Sequence, residues 1–175
     1  LRYTIGFIAV DYDKAVDRTA FDCVDHPPLN DYIAKQATQD QKRNVSRTCM
    51  YLEEGKLVGY YTLATSSVQL ADIPADEAKG LPKYPLPAVL LSRLAVDGPA
   101  RGKGLGKRLM AHLRNLEAAG VAFLVVDAKD AKAASYYEDK LGFVPSVGKP
   151  LRLVLPVTDF FPALKGQENA ANKAV

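Results

Sequence analysis

Residues 88–106 constrain the fold more than any other stretch of this chain. Ala88-Val89-Leu90-Leu91-Ser92-Arg93-Leu94-Ala95-Val96 is a nearly continuous apolar run, the pattern of a central strand buried on both faces. Asp97-Gly98-Pro99 stops it, and Arg101-Gly102-Lys103-Gly104-Leu105-Gly106 follows as a glycine-rich turn. Leu105, Leu109, Leu113 and Leu116 then recur at helical spacing as far as Gly120, a residue suited to ending a helix. A strand, a tight turn and a helix beginning near Gly104 outline an anion site. The first N–H groups of a helix have no partner within it and carry partial positive charge, and glycines let a phosphate approach the backbone without meeting a Cβ. Lys103, Lys107 and Arg108 add positive charge beside it. The competing reading is an exposed basic turn that only caps the helix.

The flanking sequence supplies the rest of an α/β domain with a mixed sheet. Tyr3–Val10 alternates weakly as a first strand. Leu29, Tyr32, Ile33 and Ala37 have helical spacing, with Pro27-Pro28 just before and Asn30 or Asp31 able to cap. Thr48–Glu53 and Leu57–Ser66 read as a hairpin that turns at Glu54-Gly55-Lys56. Residues 72–87, with four prolines, read as an irregular excursion with one helical turn around Asp76–Lys79. Val121–Val126 is a strand, Ala131–Lys140 a helix, and Phe143–Pro145 and Leu151–Leu155 are strands.

Composition narrows the class without naming a function. At 175 residues, 48% hydrophobic and 25% charged, the chain suits one globular domain with a substantial core. No apolar run approaches the roughly 18 residues needed to span a bilayer. Residues 1–10 lack the basic start and apolar stretch of a secretory signal, so the cytoplasm is the expected location. Cys23, Cys49, His26 and His112 have no metal-ligand or disulfide spacing, so no metal is expected. A net charge of +3 is compatible with an anionic cofactor or RNA but selects neither.

Counting removes the two best-known phosphate loops. Gly102 and Gly106 enclose three residues where a Walker A loop needs four, and Arg108 stands where Ser or Thr would ligate magnesium. The glycine spacing also fails GxGxxG. The turn instead resembles the acetyl-CoA loop of the GNAT N-acetyltransferases, Arg/Gln-x-x-Gly-x-Gly/Ala, matched by Arg101, Gly104 and Gly106 after the strand Leu94-Ala95-Val96. Ala134-Ser135-Tyr136-Tyr137-Glu138 followed by Leu141-Gly142-Phe143-Val144-Pro145 is similar to the family's tyrosine helix and Gly-Phe pair, with one residue more than usual between them.

The resemblance implies the GNAT fold, a mixed and mostly antiparallel sheet flanked by helices, over residues 1–165, with 166–175 as a flexible tail. It implies acetyl-CoA as co-substrate, bound by Leu94, Ala95, Val96, Arg101, Gly102, Lys103, Gly104, Leu105, Gly106, Lys107 and Ser135. Tyr137 would be the acid that protonates the departing thiolate, with Tyr136 as a core aromatic. Four further blocks, Phe21-Asp22-Cys23 before Leu29-Asn30, Ser46-Arg47-Thr48, Val58–Leu63 and Leu91–Asp97, are similar to the GNAT toxins of bacterial toxin–antitoxin modules. Those toxins acetylate the α-amino group of aminoacyl-tRNA and are neutralised by ribbon-helix-helix antitoxins. The resemblance thus implies both as partners and leaves a homodimer open. Arg47 and Arg93 are candidates for holding acceptor phosphates or, equally, members of structural ion pairs. Glu53, Glu54 and His112 are candidate bases by residue type alone. An enzyme for small-molecule or protein amines, and a non-catalytic acyl-CoA-binding module, remain as alternatives.

Overall fold

The computed structural model describes residues 8–111 and 120–158. The strands are β1 (Ile8–Asp11), β2 (Arg47–Glu53), β3 (Lys56–Val68), β4 (Leu86–Val96), β5 (Phe123–Asp127), β6 (Val144–Ser146) and β7 (Lys149–Pro156). They form one seven-stranded sheet in the order β1-β2-β3-β4-β5-β7-β6. β4 and β5 pair in parallel, whereas β1 with β2, β2 with β3, β5 with β7 and β6 with β7 are antiparallel. This is the expected mixed, mostly antiparallel sheet. The helices are α1 (Pro27–Asp31), α2 (Ala37–Lys42), α3 (Ala75–Ala78), α4 (Leu105–Ala111) and α5 (Ala131–Leu141). The chain divides into two compact units, Leu1–Ala64 with Ser92–His112, and Thr65–Leu91 with Leu113–Val175, so β3 and β4 contribute to both.

In the first unit, Phe21, Cys23, Tyr32, Ile33, Met50, Tyr60 and Ala95 are buried together, with Tyr60, Ile33 and Met50 almost wholly removed from solvent. The helical segment that covers them starts earlier than its apolar spacing suggests. Pro27 and Pro28 occupy its first positions, where a missing N–H costs nothing. Neither Asn30 nor Asp31 caps it: His26 stands at the N-cap without a side-chain cap bond. Between α1 and α2 the helix widens into a π-turn over Tyr32–Gln36, closed by the Ala37 N–H donating to Tyr32 O. Tyr32, Ile33 and Ala37 are all buried. The hairpin forms where expected, with Glu54 (φ 51°) and Gly55 (φ 79°) both left-handed, the two-residue geometry that matches strand twist.

The second unit packs Val68, Ile73, Leu86, Ala88, Phe123, Val125 and Val154 into its own core. Here β4 pairs Ala88, Val89 and Leu90 with Phe123, Leu124 and Val125. The proline-rich excursion contains α3, four residues long, with Pro74 as its N-cap. Burial of β4 on both faces holds only in part. Ala88, Val89, Leu91 and Ala95 are buried, but Leu90, Arg93, Leu94 and Val96 are half-exposed. The apolar run marks the strand correctly and overstates its cover, because a hydrophobic side chain does not itself specify what packs on it. The expected strand residues 3–7, the helix beyond Ala111 and the 166–175 tail lie outside the described residues. No described helix is long and apolar enough to cross a membrane.

Buried hydroxyls and thiols give this fold a pH signature. Desolvation pushes Tyr51 up to about 12 and raises Tyr60, Tyr61, Cys23 and Cys49 above their ordinary values. A group raised by folding stabilises fully below its unfolded pKa, and that contribution is lost as pH climbs towards the folded value. With reference values near ~8.5 for thiols and ~10 for phenols, the urea midpoint should stay flat from about pH 7 to 8 and fall steeply above about pH 10. A midpoint unchanged at about pH 11 would show these groups to be solvated in the folded state.

Candidate active site

The first unit holds the glycine-rich turn between the end of β4 and α4. Asp97 donates its N–H to Val58 O at 2.9 Å, which keeps β4 seated on β3 up to its last residue. A single 3-10 turn over Gly98–Ala100 follows, with Pro99 in its first positions and Arg101 N–H returning to Gly98 O. Gly102 (φ 76°) and Gly104 (φ 73°) then take left-handed conformations that other residues adopt only with strain. A Cβ added at either would meet nothing within 4 Å. Space beside the backbone at both positions is therefore open to a phosphate. Leu105 opens α4 and is buried, whereas Lys103, Lys107 and Arg108 are exposed. A helix starting at Leu105 leaves its first N–H groups without intrahelical acceptors.

Two anchors hold this turn, and sequence reasoning missed both. Leu105 packs on Gly59 of β3 so closely that a Cβ there would lie 2.9 Å from Leu105 Cδ2 and 3.2 Å from Ala95 O. The signal was a glycine inside the strand pattern Val58-Gly59-Tyr60, which marks a close approach. The other anchor is Arg101, whose Nη1 donates to Asp25 at 2.6 Å and whose Nη2 donates to Cys23 O. Its side chain is thus committed to the protein at the start of the loop. Tyr51 adds a third tie by donating from its hydroxyl to Arg108 O at 2.8 Å.

Arg93 and Arg47 sit apart. The Arg93 guanidinium lies over the Tyr32 ring, 3.5 Å from its centroid, on the face that carries Tyr60 and Met50. The Tyr32 hydroxyl pairs with Ser46 Oγ at 3.2 Å, and Thr48 Oγ1 with Thr62 Oγ1 at 3.1 Å, so the polar residues of this face satisfy one another. Arg47 opens β2, and strand alternation puts it with Cys49 and Tyr51 on the opposite face. Among the described residues neither arginine forms an ion pair. They do not form one cationic patch. Glu53 and Glu54 lie at the hairpin tip, and His112 falls outside the described residues.

The second unit holds the tyrosine helix. Asp130 caps α5 by accepting the Ala133 N–H at 2.8 Å, and Gly142 (φ 77°) ends it. The following Phe143 N–H donates to Tyr137 O at 3.1 Å. Phe143 is buried, and the Tyr137 ring packs edge-on against it at 5.5 Å. The Gly-Phe pair therefore fixes the tyrosine: glycine turns the chain back and phenylalanine meets the ring. Tyr136 is not a core aromatic. It is 41% exposed, whereas Tyr137 is half-buried with its phenol pushed well up by desolvation and then by Tyr136. Ser135 is exposed on the same helix. Among the described residues, no three His, Cys, Asp or Glu side chains are grouped to hold a metal ion.

Known proteins resemble this chain over most of its length. The sequence profile of the acetyltransferase (GNAT) family matches residues 15–143. A tRNA-acetylating toxin of Mycobacterium tuberculosis (strain ATCC 25618 / H37Rv) is 36% identical over 138 residues, covering 76% of this chain and 82% of that protein. The structure of AtaT complexed with acetyl-methionyl-tRNAfMet superposes with a TM-score of 0.81 at 28% identity, covering 91% of this chain and 99% of that one. A tyrosine-to-phenylalanine variant of AtaT, bound to the C-terminus of the antitoxin AtaR and to acetyl-CoA, gives a TM-score of 0.72 at 26% identity, covering 89% and 96%.

Proposed function

We propose that this chain, which belongs to the GNAT acetyltransferase family and so is an N-acetyltransferase using acetyl-CoA, acetylates the α-amino group of aminoacyl-tRNA and thereby arrests translation. The observation that carries the acceptor is the 36% identity to a tRNA-acetylating toxin over 82% of that protein's length. The turn at Gly102 and Gly104, open beside its backbone, supports the cofactor. Lys103 and Lys107, both exposed beside it, suit an anionic cofactor in charge.

Acetyl-CoA supplies the acetyl group as an activated thioester. The chain's own part is to orient, polarise and move a proton. An α-amino group has a reference pKa near ~8 against ~10.4 for a lysine side chain, so an appreciable fraction is neutral and nucleophilic near pH 7.5. No strong base is required, in keeping with Glu53 and Glu54 lying at a hairpin tip. Backbone N–H groups around Leu94–Val96 polarise the carbonyl oxygen. The amine nitrogen bonds to the carbonyl carbon, the carbon–sulfur bond breaks, and the Tyr137 hydroxyl gives its proton to the sulfur while the amine's extra proton goes to water, from which the tyrosinate is reprotonated. Burial keeps that hydroxyl protonated throughout the neutral range. Arg93, held against Tyr32, and Arg47 contact acceptor phosphates on separate faces. A ribbon-helix-helix antitoxin neutralises the enzyme, its disordered tail competing with RNA.

Labelled acetyl-CoA incubated with the pure protein and a total aminoacyl-tRNA pool should give label that stays with the aminoacyl ester and leaves on mild alkaline deacylation. Label appearing on free amines or on protein, with none on tRNA, would instead assign the enzyme to a small-molecule or protein acceptor.

A further inference from the structure

The Phe21-Asp22-Cys23 block before Leu29-Asn30 has no part in the chemistry above, yet it meets both ends of the turn that precedes Gly102. Phe21 and Cys23 are buried, Phe21 edge-on to Tyr60 with ring centroids 5.5 Å apart, so the backbone of Asp22 between them is held by the core. Asp22 N–H donates to Asp97 Oδ1 at 2.8 Å, and Asp22 O accepts the Gly98 N–H at 2.9 Å. Its carboxylate accepts the N–H of Val24 at 2.8 Å and the side-chain amide of Asn30 at 2.9 Å. Asn30 Oδ1 in turn accepts the Cys23 N–H at 2.9 Å. At the other end of the turn, Cys23 O and Asp25 hold Arg101.

Val24 pays the conformational cost of this arrangement. Its φ of 63° is a left-handed conformation that a β-branched residue adopts only under strain. The strain curls residues 22–25 so that Asp22 faces Asp97 and Gly98 while Cys23 O and Asp25 face Arg101. Its side chain also closes over Gly98, where a Cβ would lie 2.8 Å from Val24 Cγ2. The Asp22 carboxylate, bonded to the Val24 N–H, is what holds the curl. Those bonds also lower its pKa, the Val24 contact first, so it is ionised at neutral pH.

We infer that Asp22 is a positioning residue for acetyl-CoA: by bonding Val24 and Asn30 it fixes the clamp that aims the amides of the Gly102–Gly104 turn at the cofactor. The inference rests on the assignment of that turn to acetyl-CoA, and it places no group in contact with the substrate. Gly102 and Gly104 are exposed with open space around them, so their geometry depends on what holds Asp97–Arg101 before them and Leu105 after.

Acetyl-CoA titration calorimetry well below the unfolding temperature, with steady-state kinetics on aminoacyl-tRNA, tests this in three variants. Asp22→Ala should raise both Kd and KM for acetyl-CoA about tenfold, the loss expected for uncoupling a few exposed hydrogen bonds, while kcat at saturation stays within about threefold. Asp22→Asn keeps the accepting Oδ1 and should restore affinity. Gly104→Val reports on the turn itself. If Gly104→Val weakens binding but Asp22→Ala lowers only thermal stability, the clamp is structural and the inference fails alone. If Gly104→Val binds acetyl-CoA unchanged, the site assignment and the inference fall together. Should Asp22→Ala not fold, Asn30→Ala is read in its place, with the same rise in Kd expected and an unchanged Kd overturning the inference.

Discussion

Tyr137→Phe should fold, bind acetyl-CoA as the parent chain does, and turn over about 10²–10⁴-fold more slowly, the usual worth of a positioned general acid. The ring's contact with Phe143 survives the substitution, so packing and cofactor affinity have no reason to change. What disappears is one hydroxyl proton. Burial makes this phenol a weaker acid than a solvated one, so the proton moves only as negative charge develops on the leaving sulfur. The raised pKa has a signed consequence: Tyr137 stays protonated beyond the ordinary ~10, and its ionisation should produce no fall in kcat below about pH 10. Tyr136→Phe is the control, because that ring is the more exposed of the two and meets Tyr137 edge-on at 5.7 Å. If Tyr136→Phe abolishes transfer and Tyr137→Phe does not, the additional residue before Gly142-Phe143 has moved the acid one position back.

Gly104→Val should reduce acetyl-CoA affinity by at least about thirtyfold, for two separable reasons. With φ at 73°, any L side chain costs roughly 1–2 kcal/mol there, more for a β-branched one, and the loop would relax towards another conformation. The valine side chain would also stand in the open space where a phosphate approaches the backbone. The added Cβ itself meets nothing within 4 Å, so no clash arises at that atom. Gly104→Ala separates the two effects, keeping most of the backbone strain with far less bulk. Calorimetry should therefore place it between the parent and the valine variant, and a Gly104→Val protein with parental Kd would exclude this turn as the cofactor site.

Much of the molecule was legible because local signals and tertiary needs agreed. Gly55 had to supply a turn between two runs rich in β-branched and aromatic residues, the run Ala88–Val96 had to be a strand, and Gly142 had to end the helix that carries Tyr137. In each case backbone sterics or burial of apolar surface leaves few choices, and these act through residues close in sequence. The spacing of Arg101, Gly104 and Gly106 marked the glycine-rich turn before α4 for the same reason: left-handed glycines and a helix start are properties of six consecutive residues.

Other features depended on partners far along the chain. Nothing local says that Asn30 bridges Cys23 and Asp22 instead of capping α1, that Gly59 exists to admit Leu105, or that Arg101 is anchored by Asp25, 76 residues away. The placement of Arg47 and Arg93 on opposite faces follows from which strand each belongs to and the phase of its alternation, and similar charge and residue type concealed it. The exposure of Tyr136 and the half-burial of Tyr137 likewise depended on Phe143, which packs on the Tyr137 ring. The sequence by itself determined the elements, their order and the glycine-rich turn between β4 and α4. Only the tertiary structure decided which polar groups are already satisfied, because a hydrogen bond between distant residues exists only once folding has brought donor and acceptor within about 3 Å.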